Sequence, residues 1–302
     1  MPWWHVVSGD TYLSQQPDPT GLVSSGPLST EGVLYITENT FYVRAFTKTE
    51  PQQVAGDILL EKADSGSVLH SGRSFKTFLS DQSSAGGKNY WFREFGRKIV
   101  GVGRNYREHA AELGNAVPTK PVLFLKPPSA YVVQGQSIKI PMGCTSLHHE
   151  VELGVVIQKG GADIPENQAM DYIGGYVLAL DMTARDFQQE AKTKGLPWAL
   201  AKGFDTSCAI SEFLNRDTIP DPSNVRLWLK VNEDVKQDGN TKDMVFNIPH
   251  LISYISQFFS FEPGDLILTG TPSGVGPVKE GDTISAGLAD LVSMKIFSHT
   301  KR

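Results

Sequence analysis

The chain has 302 residues and a formal net charge of −5 at pH 7, so it can form one large domain or two smaller ones. The acidic balance argues against a general nucleic-acid-binding protein, because phosphate contacts need a basic surface. The sequence contains no long uncharged apolar run, and we therefore predict no membrane-spanning helix. Only two cysteines occur, Cys144 and Cys208, in no metal-like pattern, which suits a reducing compartment.

The first 90 residues are rich in Ser, Gly, Pro and Thr, with short strand-like stretches such as "GVLYITENTFYVRAF". This composition allows either a small irregular β module or a poorly ordered extension; the ends favour the second, and the middle stays undecided. No Lys or Arg precedes Arg44, so we expect no basic targeting peptide. The segment "SDQSSAGGKN", 80–89, has linker composition and predicts an N-terminal extension over 1–90 and a main domain over 91–302.

From Tyr90 onward the sequence predicts short strands and a few helices in quick succession. The predicted strands, in chain order, are "RKIVGVG", "PVLFLKP", "VELGVVIQ", "YVLALDM", the strand–turn–strand "VRLWLKVNEDVKQDGNT", and "LILTG". The predicted helices are "YREHAAELG", closed by Gly114, then "ARDFQQEAKTKG" and "IPHLISYISQFFSFEPGD". Strands without βαβ alternation predict an α+β, mainly β fold and not a dinucleotide-binding sheet.

A candidate metal site lies in the apolar run "HHEVELG". We predict that this run is one strand, on which Glu150 and Glu152 share a face, so something must neutralise the two like charges. Asp181 lies near the end of a separate apolar strand, where an unpaired charge is costly. Three carboxylates are hard oxygen ligands that suit Mg²⁺, Mn²⁺ or Ca²⁺. An exposed acidic strand face is the alternative for a bare E-x-E; the apolar context favours the metal site.

The neighbouring His148 and His149 are expected to support the site or the fold, because adjacent strand residues face opposite ways. His109 and Glu112 are better acid/base candidates, since their i, i+3 spacing places them on one helix face. Such a pair can deprotonate water, although alone it is more often a surface salt bridge.

The glycine-rich stretch "GTPSGVG", 270–276, lacks the features of a P-loop. We interpret it as a tight loop whose backbone amides and Thr271 hydroxyl bind a carboxylate.

Six stretches together resemble the fumarylacetoacetate hydrolase family, in particular its single-domain acylpyruvases and oxaloacetate decarboxylases of mitochondria. They are "VGVGRNYREHAAELG", "PVLFLKPPSAYV", "LHHEVELGVVI", "MDYIGGYVLALDMTARDFQ", "KGLPWALAKGFDTS" and "PGDLILTGTPSGVGPVKEGD". The resemblance runs in unbroken order from about residue 91 to the end of the chain and leaves the first 90 residues uncovered.

The resemblance implies mixed β-sheets rolled around a metal site, and a role for each matched residue. It implies Mg²⁺, with Mn²⁺ as the alternative, held by Glu150, Glu152 and Asp181. His109 and Glu112 match the water-activating pair, and Lys202 matches the lysine that stabilises oxyanion charge. The positions that match substrate contacts are Arg185, Gln188, Thr271 and, as a weaker match, Arg104.

The implied activity is metal-dependent hydrolysis of acylpyruvates to pyruvate and a carboxylic acid, with decarboxylation or keto–enol tautomerisation of oxaloacetate at the same site. A hydratase or isomerase of 2-hydroxydienoic acids is the alternative within the family, and a non-catalytic binding module is the alternative outside it. Small 2-oxo acids are the expected partners, with no nucleic acid or membrane, and the family resemblance implies a homodimer. It also implies a mitochondrial location, whereas the non-basic N-terminus favours the cytosol.

Overall fold

A computed structural model describes residues 90–112, 114 and 116–300 and the backbone of five strands in the N-terminal region. The chain divides into two compact units, Met1–Gly87 and Lys88–Arg302. The described strands of the first unit form an antiparallel sheet in chain order: β1 (Val33–Ile36), β2 (Thr40–Phe46), β3 (Val54–Lys62), β4 (Val68–His70) and β5 (Arg73–Ser74). Strands β1 and β2 fall within the strand-like stretch of the sequence. The predicted disordered ends and the linker over 80–89 lie outside the described residues, and the division into an extension and a main domain stays a prediction.

The second unit is built from short strands with few helices. Its strands are β6 (Ile99–Gly103), β7 (Val122–Lys126), β8 (Tyr131–Val133), β9 (Ser137–Ile140), β10 (Leu147–His149), β11 (Val151–Ile157), β12 (Ile173–Asp181), β13 (Thr183–Ala184), β14 (Cys208–Ile210), β15 (Leu214–Asn215), β16 (Arg226–Val231), β17 (Asp234–Asn240), β18 (Leu266–Leu268), β19 (Gly276–Val278), β20 (Thr283–Leu288) and β21 (Val292–Thr300). Its described α-helices are α1 (Trp91–Phe95), α2 (Arg107–Glu112), α3 (Arg185–Lys194), α4 (Ala199–Lys202) and α5 (Ile248–Ser256).

The strands of this unit form three sheets, of which two contain both parallel and antiparallel pairs and the third is antiparallel. The largest has the order β7-β6-β18-β11-β12-β14-β8, with β15 also paired to β12. A five-stranded sheet has the order β17-β16-β20-β21-β9, and a three-stranded sheet has the order β13-β10-β19. This architecture confirms the prediction of an α+β, mainly β fold.

Strands β11 and β12 lie in the middle of the largest sheet and position the candidate site. All seven residues of β11 are buried, as are all but one of the nine residues of β12. A strand whose two faces are both covered requires a continuous apolar run such as these. The antiparallel register places Val151 opposite Leu180 and Glu152 opposite Ala179. Asp181, the last residue of β12, therefore lies beside the start of β11.

The two longer predicted helices are present as α3 and α5, but α5 ends at Ser256, well before the end of the predicted stretch "IPHLISYISQFFSFEPGD". Helix α3 ends where Gly195 adopts a left-handed backbone with φ of 65°. Helix α5 begins after Asn247, whose side chain accepts a hydrogen bond from the backbone N–H of His250 at 2.9 Å. The buried apolar residues of α5 recur at helical spacing: Ile248, Leu251, Ile252 and Ile255. No described helix is long and apolar enough to cross a membrane.

Candidate active site

Glu150 lies at the point where the chain passes from one sheet to another. The sequence predicted Glu150 and Glu152 within one strand, and this detail is wrong. Strand β10 ends at His149 and pairs with β13 and β19, whereas β11 begins at Val151 and pairs with β12 and β18. The chain must change sheets between them, so Glu150 belongs to neither strand. Its carbonyl nevertheless accepts a hydrogen bond from the Asp181 amide at 2.9 Å, which fixes it against the end of β12.

The three predicted metal-ligand carboxylates come together inside the protein. One oxygen each from Glu150, Glu152 and Asp181 can be chosen so that all three lie within 4.8 Å of one another. The three residues are only 5%, 1% and 0% exposed. The alternative of a solvated acidic strand face is therefore wrong.

Cationic side chains contact two of the three carboxylates. The Lys202 Nζ lies 3.0 Å from Glu150 Oε2 and also donates to Asp181 Oδ2. Arg185 forms an ion pair with Glu150 through Nη2. Glu152 forms no ion pair with a Lys or Arg among the described residues; its Oε2 accepts the Gly270 amide at 2.6 Å.

Lys126 is a second buried lysine of the cluster, and the sequence analysis missed it. Its Nζ lies 2.8 Å from Asp181 Oδ1 and donates hydrogen bonds to the backbone carbonyls of Met182 (3.2 Å), Lys202 and Ser207 (2.9 Å). The side chain is fully buried at the end of β7. A signal existed in the sequence: a lone lysine closes the apolar strand "PVLFLK", and a charge in such a place needs a partner.

The pKa values of the carboxylates show where negative charge is compensated. Burial opposes ionisation of Glu150, but the charges of Lys202 and Arg185 outweigh it and hold its pKa well below the usual range. Burial and the charges of Asp181 and Glu150 raise the pKa of Glu152 well above its usual range. Burial also raises the pKa of Asp181, although Lys126 and Lys202 oppose the change. Ionisation is thus least compensated at Glu152, whose carboxyl group holds its proton more tightly than usual in the metal-free protein.

The donor set fits a hard divalent cation. All three ligand groups are carboxylates, the coordination chemistry of Mg²⁺ and Mn²⁺. Glu152 also has no cationic side-chain partner among the described residues, and a bound cation would relieve its repulsion from Glu150 and Asp181. These residues therefore can hold a metal ion.

The predicted acid/base pair extends from the interior to the surface. His109 is 4% exposed, and its Nδ1 lies 3.5 Å from Glu112 Oε2, whose side chain is 42% exposed. Burial lowers the pKa of His109, with the charge of Glu150 acting in the opposite direction. The imidazole is therefore neutral at pH 7, the form that can accept a proton, and it is not part of a solvent-exposed salt bridge.

Two of the predicted substrate-binding residues contact each other beside the cluster. Arg185 Nη1 donates to the Gln188 side-chain oxygen at 2.8 Å, and Gln188 is buried. Arg104 has a left-handed backbone, with φ of 60°, in the turn after β6. Their contacts with substrate stay predictions.

The glycine-rich loop does bind carboxylates through its amides, but they belong to the protein itself. The Gly270 amide donates to Glu152, and the Gly274 amide donates to Glu112 at 2.9 and 3.2 Å to its two oxygens. The Thr271 hydroxyl donates to the Val151 carbonyl at 2.8 Å and accepts from Gln237. Its single proton is thus used within the fold, and a substrate contact at Thr271 stays a prediction.

The paired histidines have supporting positions. His148 Nε2 lies 3.1 Å from the Ser146 hydroxyl, and His149 Nδ1 lies 2.9 Å from the side-chain oxygen of Gln237. Burial is the main cause that lowers both pKa values, to about 4 for His148.

The fold and the site together define a mainly β protein with a buried, oxygen-only candidate metal site next to a histidine–carboxylate pair. Residues 98–296 match the family model for the C-terminal domain of fumarylacetoacetate (FAA) hydrolase. The chain belongs to the fumarylacetoacetate hydrolase family.

Named relatives are similar to about two thirds of the chain. The chain is 56% identical over 204 residues to oxaloacetate tautomerase FAHD1, mitochondrial, of Mus musculus, covering 68% of this chain and 92% of that one. It is 58% identical over 201 residues to oxaloacetate decarboxylase, mitochondrial, of Dictyostelium discoideum, covering 66% of this chain and 92% of that one. The chain also superposes on the structure of fumarylpyruvate hydrolase from Pseudomonas aeruginosa in complex with Mn²⁺ and pyruvate. The TM-score is 0.65 at 33% identity, and the match covers 68% of this chain and 91% of that one.

Proposed function

We propose that the protein is a divalent-metal-dependent enzyme acting on small 2-oxo acids. In this proposal it hydrolyses acylpyruvates and decarboxylates or tautomerises oxaloacetate at one site. The observation that carries the proposal is the buried cluster of Glu150, Glu152 and Asp181, with Lys202 in contact with two of them. The activities named for the relatives support it: oxaloacetate tautomerase, oxaloacetate decarboxylase and fumarylpyruvate hydrolase.

The three carboxylates would hold Mg²⁺ or Mn²⁺. Such an ion supplies a template and a Lewis acid for the carboxylate and 2-oxo oxygen of the substrate. Mn²⁺ in the Pseudomonas aeruginosa relative supports an ion of this kind.

In the proposed hydrolysis, His109 removes a proton from water, and Glu112 orients the imidazole. The resulting hydroxide adds to the carbonyl remote from the carboxylate. The carbon–carbon bond then breaks, its electron pair passes to the pyruvate fragment as an enolate, and a proton taken up at carbon completes pyruvate. The proposed role of Lys202 is to stabilise the enolate charge with its ammonium group, and Arg185, Gln188, Thr271 and Arg104 are the proposed substrate contacts.

Oxaloacetate presents the same carboxylate and 2-oxo groups. Loss of carbon dioxide leaves the same enolate without an attacking water, and tautomerisation needs only proton transfer at the neighbouring carbon. The three reactions therefore place different demands on His109 and Glu112.

The test is turnover of acetylpyruvate and oxaloacetate, each followed by ultraviolet absorbance, with Mg²⁺, with Mn²⁺ and after EDTA treatment. We expect metal-dependent loss of both substrates and none with Glu152→Gln. Glu233→Gln is the matched control, because Glu233 is exposed in the turn after β16. Metal binding without turnover of either substrate would contradict the proposal and favour the hydratase or isomerase alternative; absence of metal binding and turnover would favour a binding module.

The relatives named as mitochondrial support a mitochondrial location for this protein. The cytosolic alternative rested on N-terminal residues that lie outside the described ones. The homodimer stays a prediction, which sedimentation of the purified protein checks.

A further inference from the structure

The loop between β18 and β19 contacts both halves of the candidate site. The Gly270 amide donates to Glu152, a carboxylate of the cluster. Four residues later, the Gly274 amide donates to both oxygens of Glu112, the partner of His109. This segment, residues 269–275, is called the bridging loop below. The relative position of the metal ligands and the acid/base pair therefore depends on its conformation.

The backbone conformation of the bridging loop requires glycine at positions 270 and 274. Gly270 has φ of 97° and Gly274 has φ of 91°, in the left-handed region that side chains rarely adopt. A Cβ at Gly274 would lie 1.9 Å from the Lys236 carbonyl oxygen on β17. The loop consequently packs directly against the backbone of β17, and any substitution at Gly274 must move it.

Gln237, also on β17, fastens the bridging loop to the strands that carry the metal ligands. Its side-chain nitrogen donates to the Thr271 hydroxyl at 2.7 Å and to the Pro272 carbonyl at 2.9 Å. Its side-chain oxygen accepts the Val151 amide at 3.0 Å and contacts His149 Nδ1 at 2.9 Å. The side chain is 1% exposed, and all its hydrogen-bonding capacity is used. His149 and Val151 are the chain neighbours of Glu150, so one amide group links both sides of the site.

We propose that Gln237 is a positioning residue for the acid/base pair. Through Thr271 and Pro272 it holds the bridging loop in the conformation in which the Gly274 amide orients Glu112, and Glu112 in turn orients His109. The inference rests on the proposed function, because it assigns the pair to the water-dependent reaction. It separates two reactions of one site: acylpyruvate hydrolysis needs an oriented His109, whereas oxaloacetate decarboxylation does not.

The main variant is Gln237→Met, which keeps the side-chain length and removes the hydrogen bonds to Thr271 and Pro272 together with the contacts to Val151 and His149. Hydrolysis of acetylpyruvate and decarboxylation of oxaloacetate are measured on the same preparation with saturating Mg²⁺. We expect kcat for hydrolysis to fall at least about 10-fold, because small displacements of a catalytic group cost large factors in rate. We expect kcat for decarboxylation to stay within about 3-fold, so the ratio of the two rates changes.

Two glycine variants keep the test independent of the buried glutamine. Gly274→Ala must displace the Gly274 amide, whereas Gly281→Ala adds a methyl group at a similar φ of 86° with nothing within 4 Å. Gly274→Ala should lower the ratio of hydrolysis to decarboxylation as Gln237→Met does, and Gly281→Ala should leave it unchanged. A parallel fall of both rates, or no change in either, would overturn the inference.

Hydrogen exchange supplies a readout that needs no turnover. In Gln237→Met we expect faster amide exchange in both the bridging loop and α2, because the loop amide of Gly274 anchors Glu112 on that helix. Faster exchange in the loop with unchanged α2 would refute the coupling. Inactivity of the unsubstituted protein on both substrates would instead contradict the proposed function, so the two failures are distinguishable.

Discussion

Replacing Glu152 with glutamine should stabilise the metal-free protein while abolishing its response to metal. The three carboxylates of the cluster lie close enough for each pair of ionised groups to repel by about 3.5 kcal/mol at 4.8 Å and an effective dielectric constant of about 20. Lys202 offsets part of this repulsion. Lys126 and Arg185 form their ion pairs with Asp181 and Glu150, so Glu152 carries the least compensated charge. Glutamine removes that charge and keeps an oxygen for the Gly270 amide.

We expect Glu152→Gln to raise the free energy of unfolding of the metal-free protein by about 1 to 3 kcal/mol at pH 7, less than the bare repulsion because Lys202 lies nearby. Each kcal/mol corresponds to about 2 to 4 °C in melting temperature for a domain of this size. The assay is thermal unfolding after EDTA treatment and again with Mg²⁺. In the unsubstituted protein, Mg²⁺ at about 100 times its dissociation constant should add about 2.7 kcal/mol, and in Glu152→Gln it should add little.

The pH dependence of the free energy of unfolding tests this prediction in a second way. The folded-state pKa of Glu152 is raised, so the folded protein holds this proton more tightly than the unfolded chain. Its contribution to stability is complete below the ordinary glutamate pKa and is lost as the pH rises through the raised value. The advantage of Glu152→Gln should therefore grow with pH. A metal-free variant less stable than the unsubstituted protein, or one with an undiminished Mg²⁺ response, would refute the reasoning; Glu233→Gln should change neither property.

Three further outcomes follow from the site. Lys126→Met should lower the free energy of unfolding by about 3 to 5 kcal/mol, because it leaves buried Asp181 without this partner; urea unfolding measures it, with exposed Lys242→Met as the control. His109→Gln should lower kcat for acetylpyruvate hydrolysis by about 10² to 10⁴-fold and leave Mg²⁺-induced stabilisation intact; loss of both would contradict the assigned role. Burial lowers the pKa of His109, and a bound cation acts in the same direction. The rate of hydrolysis should therefore begin to fall with acidification only below pH 6.5. A fall that begins above pH 6.5 would contradict a neutral His109 base.

The elements predicted from the sequence are those whose burial has a regular pattern. The apolar runs of β11 and β12 indicated buried strands, and the apolar spacing in α5 indicated a helix with one covered face. Asp181 was predictable because it interrupts such an apolar run, and a buried charge requires compensation. Each of these features is local, so one stretch of sequence contains the information.

The features that escaped prediction depend on contacts between distant segments. Nothing in "HHEVELG" reveals that the chain changes sheets at Glu150, because the change is set by the partners β12, β13, β18 and β19. Gln237 lies in a polar stretch of β17, and its role arises only where β17 meets the bridging loop and the β10–β11 connection. Polar residues of this kind have no distinctive local pattern.

The charge arrangement explains why this site departs from ordinary packing. Three buried carboxylates are accompanied by three cations from separate segments, Lys126 on β7, Arg185 on α3 and Lys202 on α4. A fold selected for stability alone would place apolar side chains here, since replacing buried ion pairs by apolar groups is often neutral or stabilising. The cations contact Glu150 and Asp181 and leave Glu152 without an ion pair among the described residues. Such an incomplete balance is costly in the metal-free protein, and it leaves negative charge available for a divalent cation.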